Sequence, residues 1–150
     1  MQTSTKPAPV STHPATTTTL YIGAALSALL AALTFLDQVA FDGITDTYWD
    51  KYPDYTSSEI ATEAGATAAA LYVLAGLGIV CWLWLAICTV RGWRRTRLFS
   101  TIVFGLAFVA SLSMSYVPMP GYLAGAQWLP LLVGLVAIVL MWLPSARTDR

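Results

Sequence analysis

The sequence predicts an all-α protein, a four-helix transmembrane bundle that follows a disordered N-terminal tail. Three features predict it: an apolar composition, four long apolar runs and a segregated charge. Of the 150 residues, 57% are hydrophobic and 11% are charged, whereas soluble domains average about 25% charged residues. Lipid is the solvent that suits such a chain, so the bilayer is its first expected partner.

The N-terminal tail covers residues 1–19, which are rich in Thr, Ser and Pro, a composition typical of disorder. The first span is predicted over residues 20–41, a length that suits a membrane-crossing helix. We expect it to be retained rather than cleaved as a signal peptide, because the preceding segment is weakly basic and the apolar run is long. Gly23, Ser27 and Ala31 recur every four residues, which favours close approach of a second helix.

A polar loop is predicted over residues 42–58, between the first two spans. Its aromatic side chains suit a belt at the level of the lipid headgroups: Tyr48, Trp49, Tyr52 and Tyr55. Thr56 and Glu59 have the T-x-x-E spacing of a capping box and predict the start of a helix. The apolar stretch that follows predicts a second span over residues 62–90.

Two pairs of small residues lie inside the second span. Gly76 and Gly78 are expected to mark a close contact with another helix. Cys81 and Cys88 are seven residues apart in the sequence, which on a helix is about 10 Å along the axis and too far for a disulfide. We interpret both cysteines as packing residues.

The third span is predicted over residues 98–117 and the fourth over residues 122–143. A short turn rich in Pro and Gly separates them, and a cytoplasmic tail of residues 144–150 follows the fourth. Pro130 lies inside the fourth span, where it is expected to kink the helix or to end a short first turn.

Charge is distributed unequally between the two sides of the predicted bundle. The net charge is zero, yet seven of the eight acids lie within residues 37–63 and seven of the eight bases lie outside that segment. Because basic loops remain on the cytoplasmic side, we expect a multi-pass plasma-membrane protein with both termini cytoplasmic. No extended basic surface is present, so nucleic acid is not an expected partner.

The turn before the third span contains four arginines, which act first as determinants of topology. They also form a candidate site for anionic lipid headgroups: Arg91, Arg94, Arg95 and Arg97.

The acidic outer segment is the most unusual polar feature. Clustered carboxylates suit Ca²⁺ or Mg²⁺, but the D-x-D-x-D-G spacing of a calcium loop is absent, and a solvated loop is the simpler interpretation. The candidate ion or partner site consists of Asp37, Asp42, Asp46, Asp50, Asp54, Glu59 and Glu63. Whether it holds a metal ion stays open.

Asp37 and Glu63 lie near the outer ends of the first two spans, where an ionisable group indicates a functional site. If the two carboxylates face each other across the two helices, they would suit proton-coupled transport. If both instead lie in the headgroup region, their charges would be in contact with water.

No catalytic set and no cofactor motif is found. The sequence has no Cys-x-x-Cys and no Gly-rich phosphate loop, and His13 is its single histidine. Ser111, Ser113 and Ser115 alternate along the third span, and hydroxyls there most often bond to their own helix or a neighbouring one.

The segment RGWRRTRLFSTIVFGLAF and the closing WLPSAR resemble small uncharacterised four-span integral membrane proteins of actinobacteria. The likeness covers about the last 60 residues. It implies a membrane location and no particular activity.

The leading hypothesis is a non-enzymatic helical bundle that assembles with itself or with a membrane protein partner, because small-residue faces are present and a catalytic set is not. One alternative is a small transporter or channel subunit that uses the outer carboxylates. The other is a membrane enzyme that acts on a lipid or isoprenoid, with a metal held by the same carboxylates.

Overall fold

The computed structural model of the chain describes residues 14–91 and 95–142. Within these residues all regular structure is helical: α1 (Pro14–Leu36), a π-helical turn (Asp37–Phe41), α2 (Gly43–Lys51), α3 (Ser57–Val90), α4 (Thr96–Met114), α5 (Gly121–Ala126) and α6 (Leu129–Trp142). Four helical segments are long and apolar enough to cross a membrane, namely Ala15–Phe41, Ser57–Val90, Thr96–Met114 and Gly121–Trp142. The predicted all-α bundle is confirmed, and the chain is a multi-pass membrane protein.

The first span begins earlier than predicted. α1 starts at Pro14, so the last six residues of the predicted tail are helical, whereas residues 1–13 lie outside the described part of the chain. Proline suits the first turn of a helix, where no backbone N–H is needed. Thr16 is already buried there, so this turn continues the inward face of the span.

α1 turns one narrow face to the other helices. Its buried residues alternate at spacings of four and three: Thr16, Leu20, Gly23, Ser27, Leu30, Thr34 and Asp37. This seven-residue repeat is typical of helices that pack side by side at a shallow angle. α3 covers much of this face and α6 covers the rest.

Close packing explains three glycines, two of which lie beside Trp82. A Cβ at Gly23 would lie 2.5 Å from the Trp82 ring, and a Cβ at Gly134 would lie 2.9 Å from Phe104 and 3.2 Å from Trp82. A Cβ at Gly78 would lie 2.7 Å from the Ser27 hydroxyl. The close contacts predicted at Gly23, Ser27 and Gly78 are therefore confirmed. Gly76, by contrast, faces open space, so the contact predicted there is not found among the described residues.

The fourth span is broken, as Pro130 predicts. α5 ends at Ala126 and α6 begins at Leu129. Proline has no N–H for the carbonyl four residues back, and its ring crowds that carbonyl. The Trp128 N–H bonds instead to the Gly125 carbonyl at 3.1 Å, which tightens the chain at the break.

The predicted outer loop is wrong over nine of its residues, because Gly43–Lys51 forms α2. Ile44 and Tyr48 are buried on its inward side, and the Tyr48 hydroxyl is 2.9 Å from the Thr67 hydroxyl on α3. Tyr48 is thus a core residue and not part of a headgroup belt. Burial of this one apolar face stabilises a helix too short to persist alone.

α3 begins at the capping box that the sequence predicts. The Glu59 N–H donates to the Thr56 hydroxyl at 3.4 Å, and the Thr56 N–H donates to the Glu59 carboxylate at 2.8 Å. With 34 residues, α3 is about 51 Å long at 1.5 Å per residue. Because a bilayer core is about 30 Å thick, part of α3 projects beyond the hydrocarbon.

α4 is the least buried of the four spans. Its buried residues are Thr96, Ser100 and Ser111, all with small hydroxyl side chains. The Ser113 and Ser115 hydroxyls bond to the carbonyls four residues back, both at 3.0 Å, as predicted for serines within a span. The loose fit of α4 leaves a cavity between it and the other three spans.

Candidate functional site

Asp37 is the predicted site residue that the structure places inside the bundle. Its side chain is 1% exposed. One carboxyl oxygen accepts a hydrogen bond from the Tyr122 hydroxyl of α5, and the other accepts one from the Ile44 N–H of α2 at 3.2 Å. Asp37 therefore fastens the C-terminal end of the first span to α2 and to the fourth span.

The π-helical turn positions this carboxyl group. The Asp42 N–H bonds to the Asp37 carbonyl five residues back, at 2.7 Å, which is the widened turn often found at functional sites. Asp42 then adopts a left-handed φ of 51°, which aspartate tolerates better than most residues. A Cβ at Gly43 would lie 2.7 Å from the Asp37 carboxyl and 2.8 Å from the Tyr122 hydroxyl, so glycine is needed where α2 begins.

The other predicted carboxylates are exposed: Asp42, Asp46, Asp50, Asp54, Glu59 and Glu63. Glu59 already caps α3. Glu63 shares no hydrogen bond with Asp37, whose carboxyl group instead meets Tyr122. Within residues 14–91 and 95–142, no three His, Cys, Asp or Glu side chains come together as a metal-binding group. The acidic segment is thus a set of separate solvated groups around one buried carboxyl.

Three arginines of the basic turn are among the described residues, and they lie at the opposite end of the bundle. Arg91, Arg95 and Arg97 are exposed at the end of α3 and the start of α4. Arg94 lies outside the described residues. The exposed guanidinium groups suit the anionic headgroups of the inner leaflet, and this role remains a prediction.

The cavity beside α4 is the second feature of interest, with a volume of about 330 Å³. Its wall is mainly apolar, with Trp82 of α3 and Phe104 of α4 among the large side chains. The polar residues Ser27, Ser100, Ser111 and Gln127 also line it. No Asp, Glu, Lys, Arg or His is among the described residues that line it, so it is not a wet chamber for the predicted carboxylates.

The outward face of α3 is the third feature. A Cβ added at Gly65 or Gly76 would have no neighbouring atom within 4 Å. Ala69, which lies between them in the sequence, is exposed. Eleven residues are close to three full turns of an α-helix, so the two glycines share one face. Packing within the bundle thus explains Gly78 but neither of these.

Three important residues were missed at the sequence level: Tyr122, Gln127 and Trp82. Gln127 carried a usable signal, because it is an amide inside an apolar span, three residues before Pro130. Tyr122 begins the predicted fourth span, and its partner Asp37 lies 85 residues away in the chain. No local pattern could have joined these two residues.

No protein family model matches the chain, and neither the curated proteins nor the solved structures provide a match. The resemblance to actinobacterial membrane proteins therefore stays a prediction. Three features of the described residues bear on function: the Asp37 carboxyl, the cavity beside α4 and the outward face of α3.

Proposed function

We propose that this protein is a non-enzymatic helical bundle of the plasma membrane that assembles with itself or with a membrane protein partner through the outward face of α3. Gly65 and Gly76 carry the proposal. Glycine inside a helix costs about 1 kcal/mol relative to alanine. Close approach of a second helix would offset that cost, since small residues let two backbones come together in lipid.

The geometry of this face fits such a contact. Gly65 and Ala69 form a small-xxx-small pair on the outer half of α3, and Gly76 continues the same face towards the membrane centre. The open space beside both glycines leaves room for a neighbouring helix. Beyond these positions the face continues with exposed Val80 and Leu83, whose apolar side chains suit either lipid or a partner helix.

The charge pattern supports the orientation that we propose. Seven of the eight bases fall in the segments assigned to the cytoplasmic side, and basic segments are retained there. Both termini are therefore proposed to be cytoplasmic, and α2 is proposed to lie outside.

Assembly has more support than the two alternatives. Transport through the outer carboxylates would require Asp37 and Glu63 to face a wet passage. Asp37 is instead enclosed by Tyr122 and α2, and Glu63 is exposed. A metal-dependent enzyme would require several of these acids to line a pocket, and the cavity beside α4 is lined by other residue types in the described part of the chain.

The test is the mass of the protein purified in a mild detergent, measured by light scattering. We expect an oligomer or a complex with a second membrane protein. Gly65→Leu combined with Gly76→Leu is expected to raise the dissociation constant of this assembly at least tenfold, or about 1.4 kcal/mol. The reason is that the two leucine side chains would fill the space of the contact. Gly105→Leu is the matched control, since Gly105 on α4 also faces open space.

A monodisperse monomer with no accompanying protein would contradict the proposal. Equal weakening by Gly105→Leu would also contradict it, because the effect would then not depend on α3.

A further inference from the structure

The cavity beside α4 has dimensions that suit an elongated ligand. Its volume of about 330 Å³ lies within the range of about 300–1,000 Å³ for ligand sites. On α4 it extends from Ser100 to Ser111, which is about 17 Å along the helix at 1.5 Å per residue. Because α4 crosses the membrane, the long axis of the cavity follows the direction of a lipid chain.

Gln127 provides the polar group at the outer end of the cavity. Its side chain is 2% exposed, and its Nε2 donates to the Ser115 hydroxyl at 3.5 Å. That hydroxyl donates its own proton to the Ser111 carbonyl at 3.0 Å. In this arrangement the serine oxygen accepts from the Gln127 amide nitrogen.

With the amide oriented in this way, its oxygen is left without a donor. Gln127 Oε1 and the Thr96 hydroxyl are the two buried side-chain oxygens without a hydrogen-bond partner in the described residues. Gln127 lines the cavity and Thr96 does not. A buried acceptor without a donor is costly in apolar surroundings, and a ligand hydroxyl at this end would remove that cost.

The lining also determines the charge of the ligand. The described residues around the cavity include no ionisable acid, lysine, arginine or histidine. A charged headgroup would therefore lack a counter-ion in a low-dielectric site, at a high cost in free energy. The remaining wall is aliphatic or aromatic, which suits a hydrocarbon chain.

We propose that this cavity binds an uncharged long-chain lipid alcohol. Its hydroxyl donates to Gln127 Oε1, and its chain lies beside Trp82 and Phe104 in the direction of Ser100. The site is separate from the outward face of α3, so this proposal does not depend on whether the protein assembles through that face.

Photolabelling of the full-length protein in lipid nanodiscs tests the proposal. The probe is a long-chain alcohol that carries a diazirine in its chain, and labelled peptides are located by mass spectrometry. We expect label on the cavity side of α4, around Phe104. Unlabelled 1-tetradecanol is expected to compete roughly 2- to 12-fold better than tetradecane, the difference that one net hydrogen bond provides, and better than tetradecanoate.

Variants separate the hydroxyl contact from the apolar space. Gln127→Leu removes the unsatisfied acceptor at similar size and is expected to fold. It should retain the label while tetradecanol and tetradecane compete equally. Ala107→Phe places a ring into the cavity wall and is expected to abolish most of the labelling. Ala32→Phe, at an exposed position on α1, is the control and leaves labelling unchanged.

Three results would overturn the proposal. The first is label spread over the lipid-facing surface without competition by 1-tetradecanol. The second is an unchanged preference for the alcohol in Gln127→Leu. The third is labelling that survives Ala107→Phe while remaining on α4.

Discussion

Loss of the hydrogen bond between Asp37 and Tyr122 is expected to loosen the outer end of the bundle by a measurable free energy. Tyr122→Phe removes one donor from a buried carboxyl, which costs about 1–3 kcal/mol. Asp37→Ala leaves the buried Ile44 N–H without a partner and also releases the hydroxyl of Tyr122, whose side chain is 44% exposed. The unsatisfied Ile44 N–H is expected to cost this variant about 1–3 kcal/mol.

The double variant isolates the contact itself. Asp37→Ala and the double variant both leave the Ile44 N–H without a partner, so this loss cancels in the comparison. The coupling free energy between Asp37→Ala and Tyr122→Phe is therefore expected to be about 1–3 kcal/mol. The free energy of unfolding is measured by titrating sodium dodecyl sulfate into the protein in a mild detergent. Tyr116→Phe serves as the control, because Tyr116 near the same end is 79% exposed and its loss should stay within about 0.5 kcal/mol.

A coupling below about 0.5 kcal/mol would refute the inference that this hydrogen bond joins the first and fourth spans. A loss in Tyr116→Phe as large as in Tyr122→Phe would refute it as well, since any outer tyrosine would then behave alike.

Two further predictions use the same unfolding assay. Gly23→Ala places a methyl group against the Trp82 ring and is expected to lower the free energy of unfolding by about 1–3 kcal/mol. Gly105→Ala meets no neighbour and is expected to raise it by up to about 1 kcal/mol. Equal effects of the two substitutions would contradict the close packing. Thr56→Ala removes the cap of α3 and is expected to lower the free energy of unfolding by about 0.5–2 kcal/mol. Ser57→Ala is the control and is expected to have a small effect. An unchanged free energy of unfolding in Thr56→Ala would show that this cap does not stabilise α3.

Local signals in the sequence predicted much of the fold. The apolar runs predicted four spans, Thr56 and Glu59 predicted the start of α3, and Pro130 predicted the break in the fourth span. The apolar runs are continuous in the chain, and the other two signals act within about one helical turn, so all three are visible in a single sequence. The serine hydroxyls of α4 were predictable for the same reason.

Contacts between distant segments could not be predicted. Gly76 and Gly78 are two residues apart, which places them about 200° apart around the helix. Only the packed bundle shows that Gly78 faces Ser27 and that Gly76 faces outward. α2 was missed because its start depends on the Asp37 carboxyl, and its stability depends on burial of its inward face.

The most direct test of assembly through α3 is disulfide cross-linking in intact membranes. Cys81 and Cys88 are first replaced by alanine, and Gly65→Cys, Gly76→Cys or Gly105→Cys is then introduced singly. A disulfide requires the two Cα atoms to approach within about 7 Å, which only closely packed helices allow. We expect a product of doubled mass, or an adduct with one membrane protein, for Gly65→Cys and Gly76→Cys but not for Gly105→Cys. Absence of product at both α3 positions, or equal product at Gly105→Cys, would contradict the account.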